Sequence, residues 1–369
     1  MKKILSFLLV IMLMVPNFAF ATTETYLDHE KDADIEFFLE VYNYIKTTYP
    51  LEYNDRQIIE GGLKGMLNSL DPYSSYYNIE ESIELYNQLS GSFSGIGIYV
   101  EERNGYINIT ETIKDQPAEK AGLKKDDLII KVDDKDILNM PLSEVTKLIK
   151  GPIDTKVKLQ IKRGTKTIVV EVLRKNIESS SVEYEILDNK IGYLQISQFQ
   201  DTTLRDVKKA LAEFDKQNLK KVIIDLRNNP GGLLDETIEI AKLFIPRGPI
   251  VHIRQKNKAL ITHVSTLSKQ KYDLVVLVNE KSASASEILA GAIKESKAGK
   301  VIGTKTYGKG IVQSIRPLTN GSVIKMTTAE YLLPNMTSIH GKGIAPNIIV
   351  ENTVEEDLQL KKAIELLKN

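Results

Sequence analysis

Apolar residues recur every three or four positions along DIEFFLEVYNYIKTTY (34–49) and again along RQIIEGGLKGMLNSL (56–70), the spacing of one face of a helix. A turn at Asp71-Pro72-Tyr73 follows, and a third helix is predicted from Ile79 to Leu89 behind Asn78. At Gly91 the texture changes to short alternating runs: GIGIYVEE, GYINITETI, KVKLQIKRG and KTIVVEVLRK, with a short helix in QPAEKAG and a longer one in PLSEVTKLIKG. Some eighty-five residues of this kind predict a separate β-rich module ending near Asn176. From Lys190 onward, near-continuous apolar strands (IGYLQIS, KKVIIDLR, YDLVVLVN, KVIGT) alternate with amphipathic helices (TLRDVKKALAEF, LDETIEIAKLF, SASEILAGAIKES). That order predicts an α/β core around a buried, mainly parallel sheet. Functional loops are then expected past the carboxyl ends of its strands.

Composition narrows the class. A chain of 369 residues with 49 basic and 49 acidic side chains and 42% apolar residues reads as a soluble globular protein of two or three structural units, and nothing in its charge favours nucleic acid. The amino terminus departs from this pattern. Lys2 and Lys3 precede an apolar run from Ile4 to Val15, then Pro16 and Ala19-Phe20-Ala21, which reads as a signal peptide over residues 1–21 cleaved after Ala21. Twelve residues, apolar but for Ser6, fall short of the roughly twenty that a spanning helix needs. Export is therefore expected, to the cell envelope or beyond. With no cysteine, the fold relies on packing rather than disulfides, and thiol catalysis is excluded.

Three loops could carry chemistry. In KSASASEILAG (281–291), Ser284 and Glu287 have the S-x-x-E spacing of a helix-capping box, yet a serine at a strand-to-helix turn is also placed as a nucleophile beside helical N–H groups; position alone leaves the two readings even. RNNPGG (227–232) makes a tight turn, and its glycines also allow a backbone N–H to approach a ligand. GTKTYGKGIVQSI (303–315) starts like a phosphate-binding loop. It places glycine at position 310 where serine or threonine would hold magnesium, and β-like IVQSI where a helix should start, which argues against nucleotide binding. Lys309 in that loop is either a solvated charge or a desolvated amine able to take a serine proton. The four histidines, at 29, 252, 263 and 340, lie in no recognisable triad setting, although triad members need not be close in sequence; no metal-ligand spacing is present.

Together these loops resemble the carboxy-terminal processing proteases, exported serine endopeptidases with a serine–lysine dyad. The resemblance covers nearly the whole mature chain through LDPYSSYY (70–77), SGIGIYV (94–100), PAEKAGLKKDDLIIKVD (117–133), DLRNNPGGLL (225–234), SASASEILAGA (282–292), KTYGKGIVQ (305–313) and GKGIAPN (341–347). It implies Ser284 as nucleophile, Lys309 as general base, Gln313 as the residue orienting that lysine, and an oxyanion hole from the N–H groups of Gly232 and Ala285. Fully extended, positions 309 and 313 would lie roughly 13 Å apart, so their cooperation requires a bend, for which Gly310 is the expected place. The β module resembles a PDZ domain, which implies capture of a protein's apolar C-terminal tail by the loop Ser94, Gly95, Ile96 and Gly97, with Ile98 beside the pocket. No cofactor is implied. The organisation expected is a signal peptide (1–21), an N-terminal helical unit (22–90) that pairs two copies of the chain, a PDZ domain (91–175) and a protease core (176–369). Lys150-Gly151 and Asp154-Thr155 stand where the family commonly has an arginine-glycine pair and a Gly-Thr turn, and lysine lacks arginine's planar fork; Pro346-Asn347 replaces a common proline-aspartate. The competing reading is an exported PDZ scaffold that holds tails without cutting them.

Overall fold

The structure, a computed structural model, describes residues 33–188 and 190–368. The leader predicted over 1–21 lies outside them. Contacts divide the chain into two compact units, Met1–Gln57 and Ile58–Asn369.

In the first unit the helix Ala33–Thr48 is followed by a turn in which the Tyr49 and Tyr53 rings meet edge to face at 6.1 Å. Its apolar residues are numerous but largely uncovered: Ile35, Phe37, Phe38, Leu39 and Val41 are all exposed.

The second unit holds the rest. The helix Ile79–Ser90 starts at a complete capping box, in which Asn78 accepts from Glu81 N–H and Glu81 from Asn78 N–H, and stops at Gly91 in the left-handed conformation. The chain then enters a two-stranded ribbon, Ser92–Gly95 against Lys175–Glu178, which forms the entry and exit of the β module. The module's sheet runs Ile98–Arg103, Tyr106–Thr112, Leu128–Val132, Lys156–Arg163, Lys166–Leu173, antiparallel throughout, and leaves Ile98–Arg103 at one edge. The helix Leu142–Ile149 contributes Val145 and Ile149 to its core.

The core sheet runs Val182–Leu187, Ile191–Ile196, Lys221–Asp225, Asp273–Val278, Gly299–Gly303, Ile348–Ile349. Its first pair is antiparallel and the other four are parallel. Continuous apolar runs form these strands because both faces are covered. Leu194, Val222, Ile224, Val276 and Val278 pack with the helices Thr203–Lys216, Leu234–Phe244 and Ala285–Glu295. Ile223, Val275, Leu277 and Ile302 pack instead with Ala363 and Leu367 of the helix Leu358–Lys368.

The core sheet is mainly parallel, as expected, and a second sheet accompanies it. Gly248–Gln255, placed by its apolar run in the α/β series, joins Ser75–Tyr77, Val323–Leu332, Ile261–Ser265 and Ile311–Pro317 in a second, antiparallel sheet. A buried antiparallel strand carries the same apolar density as a parallel one, so the run alone did not separate them.

Candidate active site

Two neighbouring parallel strands, Lys221–Asp225 and Asp273–Val278, deliver the two central loops side by side at their carboxyl ends. Leu226 N–H donates to Leu277 O at 2.9 Å and carries the pairing one step past the ladder. Ser284 follows in a non-helical conformation, φ 55° and ψ −116°, an unusual region for a residue with a side chain and one that stores about 1–3 kcal/mol.

Cross-loop hydrogen bonds hold that turn. Ser282 Oγ donates to Leu226 O at 2.8 Å, Ser286 Oγ donates to Asn229 O at 3.0 Å, and Ala283 N–H reaches the same carbonyl at 3.0 Å. Asn229 is fully buried; its amide donates to Ile196 O at 2.8 Å while its Oδ1 accepts from Gly231 N–H at 2.8 Å. A Cβ on Gly231 would stand 2.9 Å from Ser284 Cβ, so the approach of the two loops requires that glycine, and one on Gly232, at φ 146°, would stand 2.0 Å from Phe199 O, so its packing on Phe199 requires glycine too. Gly231 N–H is used within its loop. Among the described residues, neither Gly232 N–H nor Ala285 N–H has a hydrogen-bond acceptor. Both are available to an anion developing beside Ser284.

Glu287 joins this turn to the third loop. Its side chain has no exposed surface and accepts four hydrogen bonds: Oε2 from Ser284 N–H and Lys309 N–H, each at 2.9 Å, and Oε1 from Thr306 Oγ1 at 2.6 Å and Gly308 N–H at 2.8 Å. A carboxylate that satisfies four donors tolerates burial that would otherwise be prohibitive. The S-x-x-E spacing thus showed the reach back to Ser284, but not the span to residues about twenty positions later. Thr306 Oγ1 in turn accepts from Ile344 N–H at 2.7 Å, which ties GKGIAPN to the same hub.

Ser284, Ala285, Gly232, Lys309 and Gln313 line one cavity of about 330 Å³. Lys309 Nζ lies 4.8 Å from the centre of the Tyr73 ring, and no hydrogen bond joins it to Ser284 or Gln313 among the described residues. Gln313 Nε2 donates to Thr327 Oγ1 at 3.2 Å. The pairing register with Val323–Leu332 also shifts between Val312 and Gln313. Burial, and secondarily the like charge of Lys325, lowers the Lys309 pKa to about 8 against the opposing pull of Asp71 and Glu287. Tyr73 is pushed up to about 12, first by its hydrogen bond to the Tyr307 hydroxyl (3.4 Å) and then by burial. Of the histidines at 252, 263 and 340, none lines the cavity. His252 is engaged elsewhere, with Thr262 Oγ1 at 2.8 Å and Pro334 O at 3.2 Å.

The predicted tail-binding residues divide. Ser94 and Gly95 belong to the two-stranded ribbon, and Ser94 Oγ donates to Gly151 O. Ile96 is 1% exposed within the module's core, with its carbonyl accepting from Ala118 N–H at 2.8 Å. Gly97 leads into Ile98, where the open edge strand begins. At the end of the helix Leu142–Ile149, Lys150 turns its ammonium over the Phe93 ring at 5.1 Å. Two of the helix's free carbonyls are met instead by Arg174, 7% exposed, which donates to Leu148 O (3.0 Å) and Ile149 O (2.8 Å), and also to Lys156 O (2.8 Å) on the strand Lys156–Arg163. Sequence spacing held no signal for this cap, which comes from 25 residues away.

Comparison with known proteins places these features in context. The model of peptidase family S41 matches residues 190–350, that of the PDZ domain residues 82–162, and that of the activating protease CtpB N-terminal domain residues 18–81. A protein of Staphylococcus epidermidis described as a probable CtpA-like serine protease is 38% identical over 339 residues, which is 90% of this chain and 69% of that one. One from Staphylococcus aureus with the same description is also 38% identical, over 90% of this chain and 68% of its own length. Among solved structures, a photosystem II D1 C-terminal processing protease superposes with a TM-score of 0.52 at 25% identity, covering 91% of this chain and 98% of that one.

Proposed function

Because the chain belongs to peptidase family S41 and is a serine-type peptidase with a PDZ domain, we propose that it is an exported endopeptidase that uses a Ser284–Lys309 dyad to hydrolyse peptide bonds in proteins recognised by their C-terminal tails. The observation that carries this reading is the convergence on one cavity of a strained serine, two unused N–H groups and a lysine whose pKa is lowered to about 8.

In the proposed reaction, the neutral Lys309 amine accepts the Ser284 hydroxyl proton as Oγ attacks the peptide carbonyl carbon. The oxyanion takes hydrogen bonds from Gly232 and Ala285 N–H. Collapse of the tetrahedral intermediate breaks the C–N bond, with Lys309 returning the proton to the leaving amine; water then hydrolyses the acyl-serine by the same route. No hydrogen bond joins Lys309 Nζ to Ser284 among the described residues, so the amine has to close on the hydroxyl for the proton to transfer. Gln313, which shares the cavity, meets the amine in its working position.

The tail adds as a strand to the open edge Ile98–Arg103, with its carboxylate on backbone amides at Ile96 and Gly97. Recognition and cutting thus belong to different parts of the proposed partition: leader 1–21, helical unit 22–90, PDZ domain 91–175 and protease core 176–369. The uncovered apolar helix Ala33–Thr48 serves pairing of two copies. Among the described residues no helix is long and apolar enough to cross a membrane, and the leader directs the chain to the cell envelope or beyond.

Incubation with an unfolded protein bearing an apolar tail tests the dyad. Wild type cleaves it; Ser284→Ala and Lys309→Ala do not, with circular dichroism unchanged. Full activity in either folded variant rules the dyad out. A wild type that binds the tail with no cleavage supports the scaffold reading.

A further inference from the structure

The catalytic cavity has an unbalanced charge. Among the described residues lining it, two carry charge, Lys309 and Lys325, and both are cations; no carboxylate reaches its surface. Of the nearby acids, Glu287, Asp71 and Glu81 are occupied elsewhere, and Glu84 lines only the adjoining cavity. Glu287 holds the four donors described above. Asp71 accepts from Tyr73 N–H, Ser74 N–H and Ser74 Oγ at 2.8–2.9 Å. Leu85, Gln88 and Lys325 also form the wall of an adjoining cavity, where Glu81 is paired with Lys64 at 2.5 Å and Glu84 completes the lining.

Lys325 itself is half-buried and makes no ion pair within 4 Å among the described residues. It stands on Val323–Leu332 opposite Ile315, and its ammonium rests 5.2 Å from the centre of the Tyr77 ring. An aromatic face holds a cation without neutralising its charge. A carboxylate competes with it easily, and a partly buried cation without a counter-charge favours any ligand that brings one.

We propose that Lys325 forms a specificity subsite that takes a carboxylate of the substrate, so that this peptidase prefers peptides with an anionic group close to the bond it cuts. The inference rests on the assignment of Ser284 and Lys309 as the dyad and deepens it by naming the chemistry of the substrate. Leu85, Ile311 and Ile315 on the same wall suit apolar neighbours in that peptide. The two lysines act on each other electrostatically, and such interactions in salt reach roughly 10 Å. At about 3.3 Å per extended residue, the carboxylate falls within about three residues of the scissile carbonyl. An acidic side chain and the α-carboxylate of a short tail share this chemistry.

The test uses the full chain and quenched fluorescent peptides that carry an apolar tail, each substituted once with Glu, Gln or Lys within four residues on either side of the cut, and each made with a free or amidated C-terminus. Wild type is expected to cleave the best Glu peptide at least about tenfold faster in kcat/KM than its Gln counterpart, the size of one close charge pair. That ratio falls to about one in Lys325→Met. In Lys325→Glu it inverts in favour of the Lys peptide, and the regained activity shows that the variant is folded. With Glu and Gln equal, an acid-over-amide preference that disappears in Lys325→Met assigns the subsite to the α-carboxylate, because tail capture by the PDZ domain would persist in that variant. The proposal is overturned if wild type distinguishes neither Glu from Gln nor acid from amide at any position, or if Lys325→Met keeps the preference. Cleavage by Ser284→Ala would instead overturn the dyad, which separates the two failures.

Discussion

Ser284 holds a backbone conformation that its side chain disfavours, and four neighbours keep it there. Ser282 and Ser286 hydroxyls fasten the turn to the loop after Lys221–Asp225, Asn229 receives one of them, and Glu287 fastens Ser284 N–H to the Lys309 turn. Ser286→Ala is expected to lower kcat about tenfold at unchanged KM while costing about 1 kcal/mol in urea unfolding, the usual worth of a single hydrogen bond. Glu287→Gln puts an amide among four donors and should lower kcat at least about a hundredfold, because hydrogen bonds to a charged acceptor are worth about 1.5–3 kcal/mol each; steady-state kinetics on a peptide substrate measures both. Lys309 sets the pH dependence. Burial lowers its pKa to about 8, and the reaction needs the neutral amine, so kcat/KM should be low at pH 6 and rise to a plateau through about 8. Lys325→Met removes a like charge, which raises the Lys309 value and moves that limb to higher pH. The cap at Ser284 was legible in S-x-x-E, since Glu287 reaches back to Ser284 N–H. The hub at Glu287 was not legible, because three of its donors are Thr306 Oγ1 and the N–H groups of Gly308 and Lys309, and backbone N–H groups carry no signature in sequence.

At the scale of elements, the alternating runs after Gly91 and the strand–helix succession after Lys190 located the β module and the α/β core. What they could not give was sheet membership. Gly248–Gln255 is as apolar as the parallel strands beside it, and only its pairing with Ile261–Ser265 and Val323–Leu332 assigns it to the antiparallel sheet that carries Lys325 and Gln313's partner Thr327. The arginine cap was hidden for a similar reason: Arg174 closes the end of Leu142–Ile149 across a strand pair. Arg174→Met should destabilise the protein by about 3 kcal/mol, since it leaves buried carbonyls without a charged donor. Urea unfolding checks this. Lys150→Ala, which removes only a contact with the Phe93 ring, should change stability by less than about 1 kcal/mol.

For the whole molecule, strand order makes chemistry out of separate loops. Parallel neighbours bring RNNPGG beside the serine turn, a buried carboxylate adds the lysine turn, and an open edge strand in the β module offers a place for an extended tail. The central claim is that Ser284 is the nucleophile and that a neutral Lys309 activates it. The most direct measurement is mass spectrometry of the wild-type chain after reaction with a peptidyl phosphonate, taken as a rate across pH 6 to 10. The account predicts a single adduct on Ser284, forming at a rate that rises through about pH 8, and no adduct at that position in Lys309→Ala. An adduct on another residue, or a rate on Ser284 that Lys309→Ala leaves unchanged, would contradict it.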